Sequence, residues 1–161
     1  MPPLHISIQT ADFDVSAELA ALRAGDHGVG AVCCFVGTVR DRNGGAGGEA
    51  VATMELEHYP GMTEKSIEAM AAEAFKRFDI LGARVIHRVG LLAPPDQIVL
   101  VAVTSAHRGD SFQACEFLMD YLKTQAPFWK KEQTAAGAHW VDARVSDDAA
   151  LARWGIHASN A

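Results

Sequence analysis

The stretch Met62–Phe78 carries the clearest pattern in the sequence, because its apolar side chains recur at the spacing of one helix face. The residues of this stripe are Ile67, Met70, Ala71, Ala74, Phe75 and Phe78. Residues three and four apart lie on the same side of a helix, so the pattern predicts an amphipathic helix whose stripe packs in a core. Such a helix needs a sheet or further helices to cover its apolar face.

Apolar runs rich in β-branched residues occur on both sides of this helix and predict strands. They are Leu4–Gln9, Val29–Val39 (expected to be buried), Val51–His58, Ala83–Leu92, Gln97–Ser105, Phe128–Gln133 and His139–Val145. Further helices are predicted from Asp14 to about Ala24, from near Asp110 to a point before Pro127, and over Asp147–Trp154. The alternation of strands and helices predicts an α/β or α+β fold. We expect a single domain over residues 1–154 and a loose C-terminal tail over residues 155–161.

Charge and cysteine usage restrict the class of protein. The 161 residues carry a net charge of −6, which disfavours a general affinity for nucleic acid or membrane, since both require a basic surface. No stretch approaches the roughly 20 apolar residues of a membrane span, and the N-terminus does not resemble a signal peptide. Cys33, Cys34 and Cys115 lack metal-ligand spacing, and we expect reduced thiols in or near the core. These features predict a cytoplasmic protein without a metal or organic cofactor.

The segment AHRGD, Ala106–Asp110, leaves an apolar strand and enters a helix. Free N–H groups and the helix dipole favour anions at such a position, and Arg108 can bind a phosphate or carboxylate through two parallel bonds. With His107 it forms a candidate anion site. The alternative is an ordinary helix start, in which Asp110, with Gln113 in a variant capping box, satisfies the free N–H groups. The pattern alone supports both interpretations equally.

Three lysines surround an aromatic pair in YLKTQAPFWKKE, Tyr121–Glu132. Lys123 lies at the rim of a helix face that carries Phe112, Cys115, Leu118, Met119 and Leu122. Pro127 ends this helix, and we expect Phe128 and Trp129 to anchor the next strand in the core. Lys130 and Lys131 then point to opposite faces, so one of them can approach Lys123. Such a pair suits proton transfer or nucleophilic chemistry. The alternative is a lysine stem lying on apolar surface beside a charged edge strand.

Arg40–Glu49 is rich in glycine and begins with two arginines, Arg40 and Arg42. The loop either closes over an anionic ligand or is only a flexible connection. It is not a P-loop, since the Gly-Lys-Ser/Thr ending is absent.

Taken together, several segments resemble the large, catalytic subunit of molybdopterin synthase, the MoaE family. They are FVGTVRDRN (Phe35–Asn43), LEHYPGM (Leu56–Met62), HRVG (His87–Gly90), SAHRGDSFQACEFLMDYLKTQAPFWKKE (Ser105–Glu132) and HWVDAR (His139–Arg144). The resemblance covers nearly the whole chain. It implies an α/β hammerhead fold with an added small β subdomain, and a sulfurtransferase of molybdenum cofactor biosynthesis.

The resemblance also implies partners. A homodimer would form the centre of a heterotetramer, and each copy would bind a small ubiquitin-like sulfur carrier with a C-terminal Gly-Gly thiocarboxylate. The substrate would be cyclic pyranopterin monophosphate, which receives two sulfurs in turn as a dithiolene while its cyclic phosphate opens.

By position, the resemblance places the catalytic lysines at Lys123 and Lys130. It places substrate-binding residues at Thr38, Val39, Arg40, His107, Arg108, Lys123, Lys130, Lys131 and Glu132. His107 and Arg108 would serve the substrate of the neighbouring subunit. No role is carried over to Gly44–Gly48. A competing hypothesis is a non-catalytic adaptor that binds a ubiquitin-like tail, which would need neither the lysine pair nor the anion site. A third hypothesis is an unrelated phosphoester-binding enzyme without a protein partner.

Overall fold

The computed structural model describes residues 3–41, 50–135, 137–141 and 145–155. The elements in these ranges are β1 (Leu4–Gln9), α1 (Val15–Arg23), β2 (Ala31–Thr38), β3 (Val51–His58), α2 (Met62–Arg77), β4 (Ile80–Arg88), β5 (Gly90–Leu92), β6 (Gln97–Ser105), α3 (Arg108–Thr124), β7 (Phe128–Thr134), β8 (Gly137–Val141) and α4 (Val145–Ala152). The Gly44–Gly48 segment, Arg42, Arg144 and residues 156–161 lie outside the described ranges. A single domain over residues 1–154 stays a prediction.

The first sheet has the strand order β1-β4-β6-β2, with β1 parallel to β4 and the remaining pairs antiparallel. Its main apolar core lies against α2 and α3, where Ile67, Met70, Phe117 and Leu118 are fully buried. A smaller cluster packs α1 against the opposite face. The amphipathic stripe of α2 therefore packs as its spacing predicts, because the sheet supplies the apolar surface.

The second sheet has the strand order β5-β3-β7-β8 and is antiparallel throughout. Val39, Met54, Leu56 and Leu92 form its apolar cluster. Ile98 packs against both this cluster and the main core, so the two sheets share apolar contacts. Two antiparallel-dominated sheets with flanking helices confirm the predicted α+β fold with a small added β subdomain.

The predicted strand Ala83–Leu92 is two strands in the structure. β4 ends at Arg88 in the first sheet, and β5 begins at Gly90 in the second. Gly90 has a φ of +90°, a backbone conformation that side chains with a Cβ rarely adopt. The chain thus turns from one sheet to the other at this glycine, which an uninterrupted apolar run does not reveal.

The prediction that β2 is buried is wrong in part. Among the described strands, β2 lies at the edge of the first sheet and pairs with β6 alone, and Val32 and Phe35 are 36% and 40% exposed. Cys34 is also exposed, whereas Cys33 packs against the main core and Cys115 is buried within it. Burial raises the pKa of the Cys115 thiol, so this cysteine is an unreactive part of the core.

None of the helices in the described ranges is both long and apolar enough to cross a membrane.

Candidate functional site

The N-terminal end of α3 presents a histidine and an arginine side chain. His107 is the N-cap residue, with an extended backbone, and Arg108 opens the helix; both side chains are exposed. Ser105 Oγ donates to the His107 carbonyl at 2.6 Å, which fixes the backbone just before the helix. Within the described residues no side chain caps this helix end, so its N–H groups stay available to an anion.

The predicted helix starts near Asp110 as expected, but the predicted capping role of the Asp110 carboxylate is wrong. α3 begins two residues earlier, and Asp110 Oδ1 accepts a hydrogen bond from the backbone N–H of Asp79 at 3.3 Å. The carboxylate therefore ties the helix to the α2–β4 connection. A tertiary contact of this kind has no trace in the local sequence pattern.

An open cavity of about 450 Å³ lies in front of this helix end and is lined by Gly30, Ala106, His107, Arg108 and Gly109. The Gly30 N–H donates to the Ser105 carbonyl at 3.0 Å, and a Cβ at Gly30 would collide with the carbonyl oxygen of Ala106. Only glycine allows the chain to pass so close. The cavity wall thus depends on backbone contact between the segment before β2 and the end of β6.

The segment Thr38–Arg40 follows a break in strand register between Gly37 and Thr38. Thr38 and Arg40 are exposed, whereas Val39 is only 2% exposed and belongs to the apolar cluster of the second sheet. The Val39 N–H donates to the Asp96 carbonyl at 2.9 Å. Of these three candidates, Thr38 and Arg40 therefore have side chains that a ligand can reach, and Val39 anchors the segment.

The C-terminal end of α3 turns sharply into β7, and α2 holds this turn. Lys123 is exposed in the last helical turn. Thr63, fully buried at the start of α2, donates from Oγ1 to the Pro127 carbonyl at 3.0 Å. Nearby, the buried Nε2 of Gln125 has no hydrogen-bond partner in the part of the chain that the structure describes. An unpaired buried donor is costly, and this one lies in the turn between α3 and β7.

Strand β7 separates its two lysines. Phe128, Lys130 and Glu132 share one face, and Trp129 and Lys131 share the other, as strand alternation predicts. Lys130 Nζ lies 3.7 Å from Oε1 of Glu132, whose side chain is 4% exposed. Lys131 Nζ lies instead 5.7 Å from the ring centroid of Trp140. Lys130 and Glu132 are therefore brought together, and Lys131 faces a different surface.

Two aromatic predictions for this region are wrong. Trp129 is 45% exposed rather than anchored in the core, and Phe112 is 59% exposed although the pattern places it on the apolar face of α3. Trp129 lies 6.1 Å from Tyr59, centroid to centroid. With Glu57, His58, Pro60 and Trp140 these rings line a groove of about 470 Å³. Aromatic side chains thus line the outer face of the second sheet. Of the Phe128–Trp129 pair, Phe128 is the residue that packs against the main core.

A histidine without a sequence-predicted role stands beside the turn. The His87 ring is stacked on Phe128 with centroids 3.8 Å apart and planes 17° apart, and the residue is 8% exposed. The pKa of His87 is lowered to about 4, mainly by burial; the hydrogen bond to the Arg88 carbonyl opposes this shift, and the nearby charges of Lys123 and His58 add to it. The sequence signal that could have pointed to His87 is the segment HRVG, which places a histidine at the end of a strongly apolar strand.

The two groups of candidate residues lie at opposite ends of one helix. Fifteen residues separate Arg108 from Lys123 (123 − 108), and at 1.5 Å per residue they are about 22 Å apart along the helix axis. One small substrate cannot contact both residues of the same copy. The structure therefore brings together Lys130 and Glu132, and separately His107 and Arg108, but does not join these groups within one chain.

Within the described ranges, no three His, Cys, Asp or Glu side chains group as a metal site would require. The absence of a cofactor stays a prediction.

Comparison with known proteins shows extensive similarity to one family. A family model described as MoaE protein matches residues 8–125. The chain is 65% identical over 156 residues to the molybdopterin synthase catalytic subunit of Ralstonia nicotianae, an alignment that covers 97% of this chain and 87% of the relative.

Solved structures give the same result. The chain is similar to the molybdopterin biosynthesis MoaE protein from Burkholderia ambifaria, with 61% identity, a TM-score of 0.81, and coverage of 96% of this chain and 99% of that chain. It is also similar to molybdopterin synthase from Staphylococcus aureus, with 29% identity, a TM-score of 0.72, and coverage of 84% and 96%. The similarity thus extends over most of the chain in both sequence and fold.

Proposed function

The chain belongs to the MoaE family, and from that premise we propose that it is the catalytic subunit of a molybdopterin synthase, a sulfurtransferase of molybdenum cofactor biosynthesis. Its substrate is cyclic pyranopterin monophosphate. Its sulfur donor is a small carrier subunit that ends in a Gly-Gly thiocarboxylate. Two sulfurs are transferred in turn to form the dithiolene, each carrier leaves with an ordinary carboxylate, and the cyclic phosphate opens. The protein acts in the cytoplasm.

The observation that carries the proposal is the corner between α3 and β7. There the exposed Lys123 ends a helix, Pro127 is held by Thr63, and Lys130 projects from the same strand face as Phe128. Lys123 and Lys130 are the proposed catalytic residues. Ammonium groups can stabilise the negative charge that develops on an oxygen atom of the substrate while sulfur displaces that atom. Glu132, close to Lys130 and buried, holds that lysine in place and makes its position less variable.

The same corner suits the carrier's tail. A thiocarboxylate is an anion with two hydrogen-bond acceptors, and the lysines supply charge while the unpaired Nε2 of Gln125 supplies a buried donor. The remaining proposed contacts to the pterin come from Thr38, Arg40 and the Val39 backbone. Lys131 faces Trp140 rather than Lys130, so among the residues that the resemblance assigns to substrate it has the least support from geometry.

The phosphate of the substrate is proposed to bind His107 and Arg108 of a second copy. Within one chain, these residues lie about 22 Å along α3 from Lys123, beyond the reach of one small molecule. A homodimer that sets the N-terminal end of one α3 against the C-terminal end of the other completes the site. The exposed Val32 and Phe35 on edge strand β2 also provide apolar surface that a dimer can cover. With one carrier on each copy, the assembly is a heterotetramer.

A reconstituted reaction tests the function. The protein is mixed with thiocarboxylated carrier and cyclic pyranopterin monophosphate, and the dithiolene product is measured by mass spectrometry after alkylation of its sulfurs. We expect two sulfurs per pterin and loss of the thiocarboxylate from two carriers. The same carrier with an ordinary carboxylate is the control and should give no product. Carrier binding without product, under conditions where a characterised synthase turns over, would favour the non-catalytic adaptor. Product formation without the carrier, or failure to bind it, would favour a different class of enzyme.

A further inference from the structure

Thr63 places a hydroxyl on the buried face of α2. It lies on the same side of the helix as Ile67 and Met70, which follow it by four and seven residues, and its side chain is fully buried. At such a position the helix pattern favours an apolar residue, and a polar group there needs hydrogen-bond partners to compensate for the loss of water. Valine would fill nearly the same space, so packing alone does not explain a threonine at this position.

The hydroxyl of Thr63 joins two distant parts of the chain. Its Oγ1 accepts a hydrogen bond from the Tyr59 N–H at 3.0 Å and donates one to the Pro127 carbonyl at 3.0 Å. A hydroxyl has one proton to donate and two lone pairs, so one side chain satisfies both backbone groups. Tyr59 follows the end of β3, and Pro127 precedes the start of β7. Thr63 therefore fastens the turn before β7 to the start of α2 and to the segment after β3.

Ser66, one turn further along α2, holds the same turn between α3 and β7. Its Oγ donates to the Gln125 carbonyl at 3.3 Å. The two carbonyls that α2 holds, those of Gln125 and Pro127, lie between the proposed catalytic residues in the chain. Lys123 comes four residues before Pro127, and Lys130 comes three residues after it. The path of the backbone through this turn therefore determines how the two lysines are placed relative to each other.

We propose that Thr63, assisted by Ser66, is a positioning residue that fixes the separation of the two catalytic lysines through hydrogen bonds to the carbonyls of the turn between α3 and β7. The proposal rests on the proposed function for its consequence in catalysis. Thr63 is fully buried, so its side chain acts through the backbone and does not contact the substrate. Its hydrogen bond to the turn is the shorter of the two, and its removal leaves two backbone groups without a partner, so it has the larger effect.

Substitution by valine tests the role of Thr63, because it nearly keeps the shape of the side chain and removes both hydrogen bonds. In Thr63→Val we expect kcat to fall about tenfold or more, while the KM for the pterin and the affinity for the carrier change by less than about threefold. Thr63→Ser keeps the hydroxyl and should recover most of kcat. Thr104→Val is the matched control. Thr104 is also a buried threonine, its hydroxyl lies 3.5 Å from the Gly82 carbonyl in the first sheet, and its variant should keep native kcat.

A second measurement does not depend on turnover. Amide hydrogen exchange is followed by mass spectrometry on peptides that cover the turn between α3 and β7. In Thr63→Val the turn opens more often, so its amides should exchange about tenfold faster or more, whereas Thr63→Ser and Thr104→Val should resemble the native protein in this segment. If Thr63→Val folds too poorly for either measurement, Ser66→Ala decides the matter, because Ser66 is only half-buried. That variant should show a fall in kcat of about threefold and faster exchange in the same turn.

Native kcat in Thr63→Val, or native exchange rates at the turn in this variant, would overturn the proposal, as would native kcat in Ser66→Ala where that variant decides. An equal fall of kcat in Thr63→Val and Thr104→Val, or no recovery in Thr63→Ser, would also overturn it, because the loss would then be a general effect of disturbed packing. In these cases an inactive Lys123→Ala would still support the proposed function. Conversely, if the native protein forms no dithiolene, the proposed function fails while the exchange comparison still tests whether Thr63 holds the turn.

Discussion

The ammonium group of Lys130 lies 3.7 Å from the carboxylate of Glu132, and the two side chains are 36% and 4% exposed. They sit two residues apart on one strand, so strand alternation places them on the same face. The carboxylate is the buried member and the lysine reaches toward solvent. The pair therefore places a partly exposed ammonium group at the corner and a buried carboxylate beneath it.

Removal of Lys130 should affect both turnover and stability. In Lys130→Ala the buried carboxylate loses a compensating charge, and we expect a fall in turnover together with a loss of about 1 kcal/mol in the free energy of unfolding, a partly exposed pair being weakened by solvent. Adding Glu132→Gln should recover much of the stability but not the turnover. Urea unfolding and the dithiolene assay on both single variants and the double variant measure this. Additive stability losses would show that the pair is not coupled.

Lys123→Ala should nearly abolish dithiolene formation while it keeps the fold, the dimer and carrier binding. Lys123 is exposed, and replacement of such a lysine normally changes stability by only tenths of a kcal/mol, on the order of 0.5 at most. Lys123→Arg should also fail, because a planar guanidinium does not reproduce a compact point charge. Lys76→Ala, an exposed lysine in the last turn of α2, is a matched control. Near-native turnover in Lys123→Ala would contradict the catalytic role and favour the alternative, in which the stem of Lys123 only packs on apolar surface.

Mixing two impaired variants, assayed at a substrate concentration too low for Arg108→Ala to turn over, should restore activity if the site is shared between copies. Arg108→Ala should weaken substrate binding by roughly 1.5–3 kcal/mol, and Lys123→Ala should block turnover. When the two are unfolded, mixed and refolded, half of the dimers are hybrids with one intact site each, so about a quarter of the native activity should return. Coexpression with two affinity tags isolates the hybrids directly. No recovery in purified hybrids would mean that both residues serve the same copy's site, and the two-copy site would be abandoned.

The cavity beside α3 provides a paired test of backbone packing. Gly30→Ala places a Cβ against the Ala106 carbonyl, and since neither group is a flexible side chain, we expect a loss of about 1–3 kcal/mol in unfolding free energy. Gly109→Ala borders the same cavity but meets nothing within 4 Å, so it should be neutral or slightly stabilising, by up to about 1 kcal/mol, as is usual for alanine in a helix. Thermal unfolding of the two variants measures the contrast. Equal melting temperatures would contradict the close approach at Gly30.

The stability of the fold should depend on the protonation of His87. The pKa of this residue is lowered from 6.5 to about 4, mainly by burial, with smaller contributions in the same direction from Lys123 and His58. Below pH 6.5 the unfolded chain binds a proton that the folded chain does not, so the free energy of unfolding falls as the pH decreases toward 4. Between pH 7.5 and 5.0 this contribution is about 2 kcal/mol. His87→Phe should lack it, and urea unfolding of both proteins at the two pH values measures the difference. Identical pH slopes would show that His87 is not protonated on unfolding in this range.

The sequence predicts those parts of the fold that local patterns determine. The α2 stripe, the strands Leu4–Gln9 and Gln97–Ser105, and the alternation of Lys130 and Lys131 follow from periods of 3.6 and 2 residues. Long-range relationships are not visible in this way. That β2 is an edge strand, that Asp110 bonds to Asp79, and that Trp129 faces outward all depend on which elements meet in space.

In the candidate site, too, some residues are predictable from the sequence and other relationships are visible only in the structure. The lysines and the His107–Arg108 pair were predicted from chain chemistry and from the family resemblance, and their assignment to catalysis and binding remains a proposal. His87 was not assigned a role, since a histidine at the end of an apolar strand looks like any half-polar strand terminus. The stack of His87 on Phe128 is visible only in the structure, where the end of β4 meets the start of β7.

The turn at Gly90 has a mechanical consequence. At this turn, two residues after Arg88, the chain passes from the first sheet to the second. Lys123 lies on a helix that packs against the first sheet, whereas Lys130 lies on a strand of the second. The distance between the two ammonium groups therefore depends on how rigidly the two sheets are held against each other, and not on either sheet alone. Three contacts hold the sheets in this arrangement: the hydrogen bond from Thr63 to the Pro127 carbonyl, the packing of Ile98 against both apolar clusters, and the stack of His87 on Phe128.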